Sequence, residues 1–266
     1  MNIKNKLSKL NTLLKSYGKA LIAYSGGVDS TALLALAVKT LGKNKALGIT
    51  AVSETYPASE LKMAKSLSKK IGARHVIIRT SELKSKKFRD NPVNRCFYCK
   101  DELFKKLSSI AAKNKMALCD ATNFSDRTDF RPGRLAAKKW RVKSPLFEAG
   151  ITKDEIRYIS RSMKLPNWNL PAQACLASRL PYGTPISQNI LRRIEKAETY
   201  LQNKGFSVFR VRHHGDVARI EAGKDEIQKL FSIDTAALAA YFKKLGWRYI
   251  SVDIEGYRTG SMNLNR

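Results

Sequence analysis

The residues with the clearest chemical content are Ser25-Gly26-Gly27-Val28-Asp29-Ser30, set between a short apolar run, Ala20-Leu21-Ile22-Ala23-Tyr24, and a helix predicted over 31–41. Paired glycines let a backbone turn tightly and bring its N–H groups up to an anion, and the N-terminus of the next helix adds partial positive charge. The six residues form a candidate cradle for the phosphates of ATP, in which Ser25 and Ser30 can donate hydrogen bonds and Asp29 can hold Mg2+. No lysine follows, so this is not a Walker A loop. The plain alternative is a glycine turn joining strand to helix, and six residues in this context argue against it. Asp120-Ala121-Thr122-Asn123 follows a second short strand, 116–121, and adds Thr122 and Asn123 as nucleotide-binding candidates. Glu54, just past a strand at 46–52, is another; any of these can instead cap or close a turn.

Cysteine usage is the second signal. Cys96 and Cys99 lie in N-R-C-F-Y-C-K, Cys175 in P-A-Q-A-C-L-A-S-R, and Cys119 inside an apolar strand. Four cysteines in 266 residues are too few and too unevenly spread for a disulfide framework. C-x-x-C suggests zinc, iron–sulfur or redox work. A structural zinc wants four ligands, and His75, His213 and His214 do not supply a matching spacing. Cys119 reads as a buried small residue with no chemical role. That leaves three cysteines, and a 4Fe-4S cluster held by three would leave one iron open, which suits chemistry better than structure.

These residues need a frame to hold them. Strands at 20–24, 46–52, 74–78 and 116–121 alternate with helices at 5–17, 31–41, 59–71 and 96–113. Such alternation predicts an α/β fold with a mainly parallel sheet covered by helices on both faces. Ligands of such sheets bind beyond the carboxyl ends of the strands, where the glycine loop falls. Thr152, with Glu155 three residues on, marks the start of a helix over 152–163. Residues 165–186 hold four prolines and no clear period, whereas helices and strands from 187 onward predict a smaller α/β domain. The expected organisation is a phosphate-loop domain over 1–165, a cysteine-bearing connector over 166–186, and a substrate and oligomerisation domain over 187–266.

The formal net charge of +28 fits nucleic acid, anionic membrane or polyphosphate partners. The charge is spread along the chain, however, and Lys outnumbers Arg 31 to 19, which favours a solvated lysine-rich surface over an RNA-binding stripe. The N-terminal stretch is basic and amphipathic rather than continuously apolar, and no apolar run is long enough to span a bilayer. A cytoplasmic protein is expected.

The glycine loop resembles the PP-loop of the ATP pyrophosphatase superfamily, which includes GMP synthetase, NAD synthetase and tRNA-thiolating enzymes. That resemblance implies cleavage between the α and β phosphates, with AMP placed on the substrate and pyrophosphate released. Over nearly the whole chain the sequence resembles the LarE-type ATP-dependent sulfur transferases of nickel-pincer cofactor biosynthesis. The likeness runs through S-G-G-V-D-S (25–30), N-R-C-F-Y-C-K (94–100), D-A-T-N (120–123) and R-P-G-R (131–134). It continues through S-P-L (144–146), P-A-Q-A-C-L-A-S-R-L-P-Y-G-T (171–184) and V-R-H-H-G-D-V-A-R-I-E (211–221). It implies a substrate, pyridinium-3,5-biscarboxylic acid mononucleotide, whose carboxylates are adenylated and then converted to thiocarboxylates as sulfur displaces AMP. One family version sacrifices a single cysteine, matching Cys175, and ends with dehydroalanine. Another holds a 4Fe-4S cluster on three cysteines, and Cys96 and Cys99 put this chain with it.

Within that frame Arg210 and Arg212, at i and i+2 of a predicted strand, lie on one face and can clamp the substrate's phosphate. Ser178 and Arg179 can position substrate near Cys175, or else stabilise the loop through backbone contacts. Expected partners are the small mononucleotide, a sulfide or other sulfur source, and further copies of the chain in a homo-oligomer; neither membrane nor nucleic acid is expected. Competing readings are a tRNA thiolase, which would use the positive charge, and a non-enzymatic nucleotide- or metal-binding regulator. An amide-forming ligase would leave Cys96 and Cys99 without a purpose.

Overall fold

The computed structural model describes residues 2–128, 132–171, 174–258 and 260–263. Arg131 of R-P-G-R and Ala172 and Gln173 of the cysteine motif lie outside the described residues. Packing divides the chain into two compact units, Met1–Glu82 with Asn94–Gln173, and Leu83–Val93 with Ala174–Arg266. Residues 83–93 join the second unit for a visible reason. Asn91, buried and in the left-handed region at φ 52, donates from Nδ2 to the carbonyls of Pro181 and Thr184 at 2.7 and 2.9 Å. The N–H groups of Gly183 and Ile186 donate back to the carbonyls of Asn91 and Arg89.

In the first unit α1 (Ile3–Tyr17) leads to β1 (Ala20–Ala23), the glycine loop and α2 (Val28–Leu41). Next come β2 (Ala46–Val52), α3 (Ala58–Ile71) and β3 (Arg74–Arg79). After α4 (Lys86–Arg89) of the second unit follow α5 (Arg95–Lys113), β4 (Ala117–Cys119), α6 (Gly133–Lys139), α7 (Pro145–Glu148) and α8 (Lys153–Ser162). The four strands form a parallel sheet in the order β3-β2-β1-β4, with Ala20 opposite both Ala46 and Ala117.

β1 alternates across the sheet as a strand must. Ala20 and Ile22 join Leu10, Leu14, Leu33 and Ile156 on one face, while Leu21 joins Phe104, Leu107 and Ala136 on the other. Helices therefore cover both faces, and each fully buried leucine or isoleucine contributes roughly 1.5–3 kcal/mol. α2 is buried on nearly every side, which its apolar sequence requires. β3 closes the sheet as an edge strand, with Val76 and Ile77 exposed between Arg74 and Arg79. α8 opens with the expected capping box: Thr152 Oγ1 accepts from the Glu155 N–H, and Glu155 accepts from the Thr152 N–H. The short helices α6 and α7 have no periodicity long enough to announce them in sequence.

The second unit contains α9 (Gln188–Asn203), β5 (Phe209–His214), β6 (Val217–Ala222), α10 (Ile227–Ser232), α11 (Thr235–Lys244) and β7 (Tyr249–Val252). β5 and β6 are antiparallel, β6 and β7 parallel. Leu191, Ile194, Leu201, Val211, Ile220, Phe242 and Trp247 are buried in it. Among the described residues no helix is long and apolar enough to cross a membrane.

His213 of β5 is buried and accepts a hydrogen bond at Nδ1 from the indole N–H of Trp247, 2.9 Å away, which requires a neutral ring. Burial, aided by the charge of Arg193, lowers its pKa below the ordinary 6.5. The unfolded chain then takes up this proton first as pH falls. This contribution to stability is full above 6.5 and lost as pH drops toward the folded value. Thermal unfolding at pH 7.5 and 5.5 is expected to show a smaller acid-side loss for His213→Gln than for the wild-type protein, and an NMR titration should place the His213 midpoint below 6.5.

Candidate functional site

The glycine loop leaves β1 at the carboxyl end of the sheet and runs into α2. Gly26 has φ 75, and a Cβ there would lie 2.9 Å from the Ala64 Cβ of α3, so only glycine fits. The Ser30 hydroxyl donates to the Gly27 carbonyl at 3.2 Å and accepts from the Ser25 N–H at 3.2 Å, with Ser25 Oγ a further 3.1 Å contact. Val28 turns into the core, so the helix start is anchored by apolar packing. Asp29 stays half-exposed. Its Oδ1 lies 2.6 Å from the Lys153 ammonium, and the Asn123 amide lies 3.5 Å from its Oδ2.

The structure thus joins Asn123 to the loop and adds Lys153, which the sequence marks only as the first residue of a capped helix. Asn123 is buried, its Oδ1 taken by the Ser125 N–H at 2.9 Å. Thr122 turns to Asp120, donating from Oγ1 to Oδ2 at 2.9 Å, while Ser144 donates to Asp120 Oδ1 at 2.7 Å. Glu54 sits exposed in the turn after β2. Its neighbours Ser53 and Thr55 both donate to Glu82, a carboxylate only 4% exposed, the latter at 2.9 Å.

Cys96 and Cys99 occupy the first turns of α5, at i and i+3 and hence on one side of the helix. Cys96 is exposed and Cys99 half-buried, with its Sγ 4.0 Å from Glu82 Oε1. Gly133 lets the start of α6 approach this turn: a Cβ would meet Lys100 Cγ at 3.0 Å and the Cys96 carbonyl at 3.6 Å. Cys119 is fully buried, and burial drives its thiol pKa far up, consistent with a packing role. Among the described residues no group of three or more His, Cys, Asp or Glu side chains is gathered closely enough to hold a metal ion.

In the second unit Cys175 is exposed and immediately precedes a 3-10 turn, Leu176–Arg179. Arg179 is buried and forks onto Glu198 of α9 through two 2.9 Å bonds, while its Nη1 reaches the carbonyls of Ala174 and Cys175 at 2.5 and 3.1 Å. It therefore fixes the backbone carrying Cys175. Ser178 Oγ accepts from the same guanidinium at 3.0 Å. Arg212 is buried, donates to the Ser178 carbonyl at 3.2 Å and pairs with fully buried Glu221 at 2.6 Å. Arg219 also pairs with Glu221, at 3.0 Å, and the Ser261 hydroxyl donates to it at 2.9 Å. Arg210 is half-buried over the Tyr257 ring, and burial together with the charge of Arg179 lowers its pKa. Four guanidiniums, those of Arg179, Arg210, Arg212 and Arg219, face three carboxylates here, Glu198, Glu221 and Asp253, the last 3.6 Å from Arg219, an excess of positive charge suited to an anion. Glu198 and Glu221 are parts of this site that sequence reading missed; the register opposing Arg210 to Glu221 appears only once β5 and β6 are paired.

A parallel α/β sheet whose glycine loop feeds a helix through an aspartate defines an ATP-using domain of the PP-loop class, and the NAD synthase family model matches residues 3–106. Relatives extend the likeness to the whole chain. Pyridinium-3,5-bisthiocarboxylic acid mononucleotide synthase of Lactiplantibacillus plantarum is 33% identical over 97% of this chain and 94% of its own length. An uncharacterized protein of Synechocystis sp. is 40% identical over 98% of both chains, and one of Methanocaldococcus jannaschii 29% identical over 96% of this chain and 98% of its own. The chain belongs to the LarE-type sulfur transferase family, and it is an enzyme that uses ATP for sulfur transfer.

Two glycine variants separate conformational cost from steric cost. Gly18 has φ 69, and a methyl added there would meet nothing within 4 Å, so Gly18→Ala incurs only backbone strain. At φ 69 and ψ −53, outside the left-handed helical well, that strain costs roughly 1–3 kcal/mol. Gly26→Ala adds the Ala64 clash to the strain of its own positive φ. Chemical denaturation is expected to show the larger loss for Gly26→Ala, and nucleotide binding is expected to fall only in that variant.

Proposed function

We propose that this enzyme adenylates the carboxylates of pyridinium-3,5-biscarboxylic acid mononucleotide and replaces an oxygen of each by sulfur. The observation that carries the reading is the presence in one chain of a glycine loop ending on Asp29 and an exposed Cys175 in an arginine-rich setting. Full-length similarity to a synthase named for the bisthiocarboxylic acid product supports the same substrate.

A carboxylate is a poor acyl donor because its oxygen leaves badly. Attack of that oxygen on the ATP α-phosphorus forms a carboxyl–AMP bond and breaks the bond to pyrophosphate, so the next leaving group is AMP. Ser25, Gly26, Gly27, Val28, Asp29 and Ser30 hold the phosphates, with Thr122, Asn123 and Glu54 at the nucleotide's other edges. Lys153, already against Asp29, supplies positive charge beside the pyrophosphate. Asp29 would hold Mg2+; a lone carboxylate suits this ion, which binds through one or two carboxylates plus phosphates and waters, and whose charge neutralises the leaving group. Arg210 and Arg212 receive the substrate's own phosphate, Ser178 lies beside it, and Arg179 keeps the Cys175 backbone in place.

Sulfur then attacks the acyl carbon and AMP departs. Cys96, Cys99 and Cys175 would hold a 4Fe-4S cluster: three thiols are a suitable donor set, and two share one side of α5. When bound, the cluster supplies an open iron on which sulfide stays deprotonated. A cytoplasmic homo-oligomer drawing on a sulfide source completes the reading.

Incubation with ATP, Mg2+, sulfide and the mononucleotide should yield AMP and pyrophosphate, with the mass of sulfur replacing that of oxygen at each carboxylate. Formation of ADP and phosphate, or thiolation of tRNA instead, overturns the assignment. Asp29→Asn is expected to slow AMP formation by about a hundredfold or more while leaving the fold intact. Anaerobic iron and sulfide analysis should show the cluster lost in Cys96→Ser, Cys99→Ser and Cys175→Ser, and kept in Cys119→Ser. A colourless wild-type protein that leaves dehydroalanine at position 175 would establish the sacrificial route.

A further inference from the structure

Three consecutive carbonyls of the glycine loop are each held by a donor of the first unit. The Ser25 carbonyl accepts from the Tyr56 hydroxyl at 2.7 Å, and the Gly26 carbonyl from Asn167 Nδ2 at 3.0 Å. The Gly27 carbonyl accepts from the Thr31 N–H at 3.0 Å and the Ser30 hydroxyl at 3.2 Å. Among the described residues every peptide bond is trans. In a planar trans peptide the N–H of one residue points opposite to the C=O of the residue before it. Pinning these carbonyls therefore turns the N–H groups of Gly26, Gly27 and Val28 away from the pinning donors, and the Gly27 N–H meets the loop's own exposed Ser25 Oγ at a long 3.4 Å. The Thr31 bond belongs to α2 itself, but Tyr56 and Asn167 are outside the loop and have no other evident reason to reach it.

Asn167 is the more telling of the two. It is 2% exposed, and its second amide hydrogen goes to Thr31 Oγ1 at 3.1 Å. Its Oδ1 is buried and finds no hydrogen-bond partner among the described residues. An orphaned buried acceptor is unfavourable, and an apolar side chain would avoid it. The amide cannot turn over to relieve it, because Oδ1 would then face the Gly26 carbonyl, acceptor against acceptor. Such a cost is tolerated where a conformation is needed for something other than stability. Tyr56 has a matching property: burial raises its hydroxyl pKa, so it remains a donor throughout the working pH range.

We propose that Asn167 and Tyr56 are positioning residues that preset the phosphate cradle, holding back the carbonyls of Gly26 and Ser25 so that the N–H groups of Gly27 and Gly26 are presented to the ATP phosphates. The inference rests on the reading of residues 25–30 as the phosphate loop. Neither residue touches ATP in this role. Without them, each peptide can rotate and offer the anion an oxygen, which repels it.

The test uses the full chain and compares two probes, the non-cleavable analogue α,β-methylene-ATP with Mg2+ and adenosine, which lacks phosphates. Calorimetric binding is measured for the wild-type protein, Asn167→Leu, Asn167→Asp and Tyr56→Phe, with thermal unfolding alongside. Loss of a single pinning bond is expected to weaken the nucleotide roughly three- to tenfold. Adenosine binding should be unchanged. Asn167→Asp should be the most impaired at pH 8, and its nucleotide binding should recover relative to adenosine as acidification protonates the new carboxyl, which can then donate to Gly26; a residue acting only in packing would lose and recover both ligands together. Equal losses for nucleotide and adenosine, or no loss, overturn the inference. If Asn167→Leu does not fold, Tyr56→Phe decides, because it deletes one hydroxyl from a half-buried ring. If the wild-type protein binds the analogue no better than adenosine, it is the phosphate-loop reading that fails, and the inference falls with it.

Discussion

A loop that offers its N–H groups to an anion must hide its carbonyls, and that constraint organises the first unit. Every peptide dipole has two ends, so a cradle for phosphate needs a set of donors behind it. Here those donors come from the turn before α3, from the segment after α8 and from the first turn of α2. The closeness of Gly26 to Ala64 follows from the same requirement, since the loop must lie flat on α3 for Tyr56 to reach it. β1, central and buried on both faces, provides the rigid stem from which the loop departs. Asp29 and Lys153 then set a balanced pair of charges at its rim.

The second unit solves a different problem, that of keeping many guanidiniums together. Buried charges are unfavourable unless paired, and here carboxylates are shared: Glu221 serves Arg212 and Arg219, Asp253 serves Arg219 and Arg258, and Glu198 is held by Arg179. Arg179, a substrate candidate from sequence, directs its donors to Glu198 and to the backbone around Cys175. The backbone that carries Cys175 and the guanidinium cluster are thereby tied to one side chain.

Much of this was readable from the amino-acid order. Glycine punctuation and short apolar runs predicted the parallel sheet and helices within a few residues, because β1 and α2 are so thoroughly buried that little but apolar residues can occupy them. Thr152 and Glu155 formed the expected cap because that motif is complete within four residues. What sequence reading missed is what depends on distance along the chain. Lys153 meets Asp29 across 124 residues and Asn167 meets Gly26 across 141. No local pattern marks either. Likewise Glu221 looks like an ordinary strand residue until β5 is laid beside it.

The outer edge of β3 carries a further consequence. Its sequence, Arg-His-Val-Ile-Ile-Arg, combines strong strand formers with an edge that no strand covers among the described residues. Such an edge is a template for another copy, and repeated pairing leads to aggregates. Arg74 and Arg79 bracket the apolar run and act as gatekeepers, because a second β3 would bring like charges together. The +28 net charge extends that repulsion over the whole surface. A lysine-rich exterior is then a colloidal safeguard for an enzyme with an open sheet edge, and it weakens as salt shortens the reach of the charges.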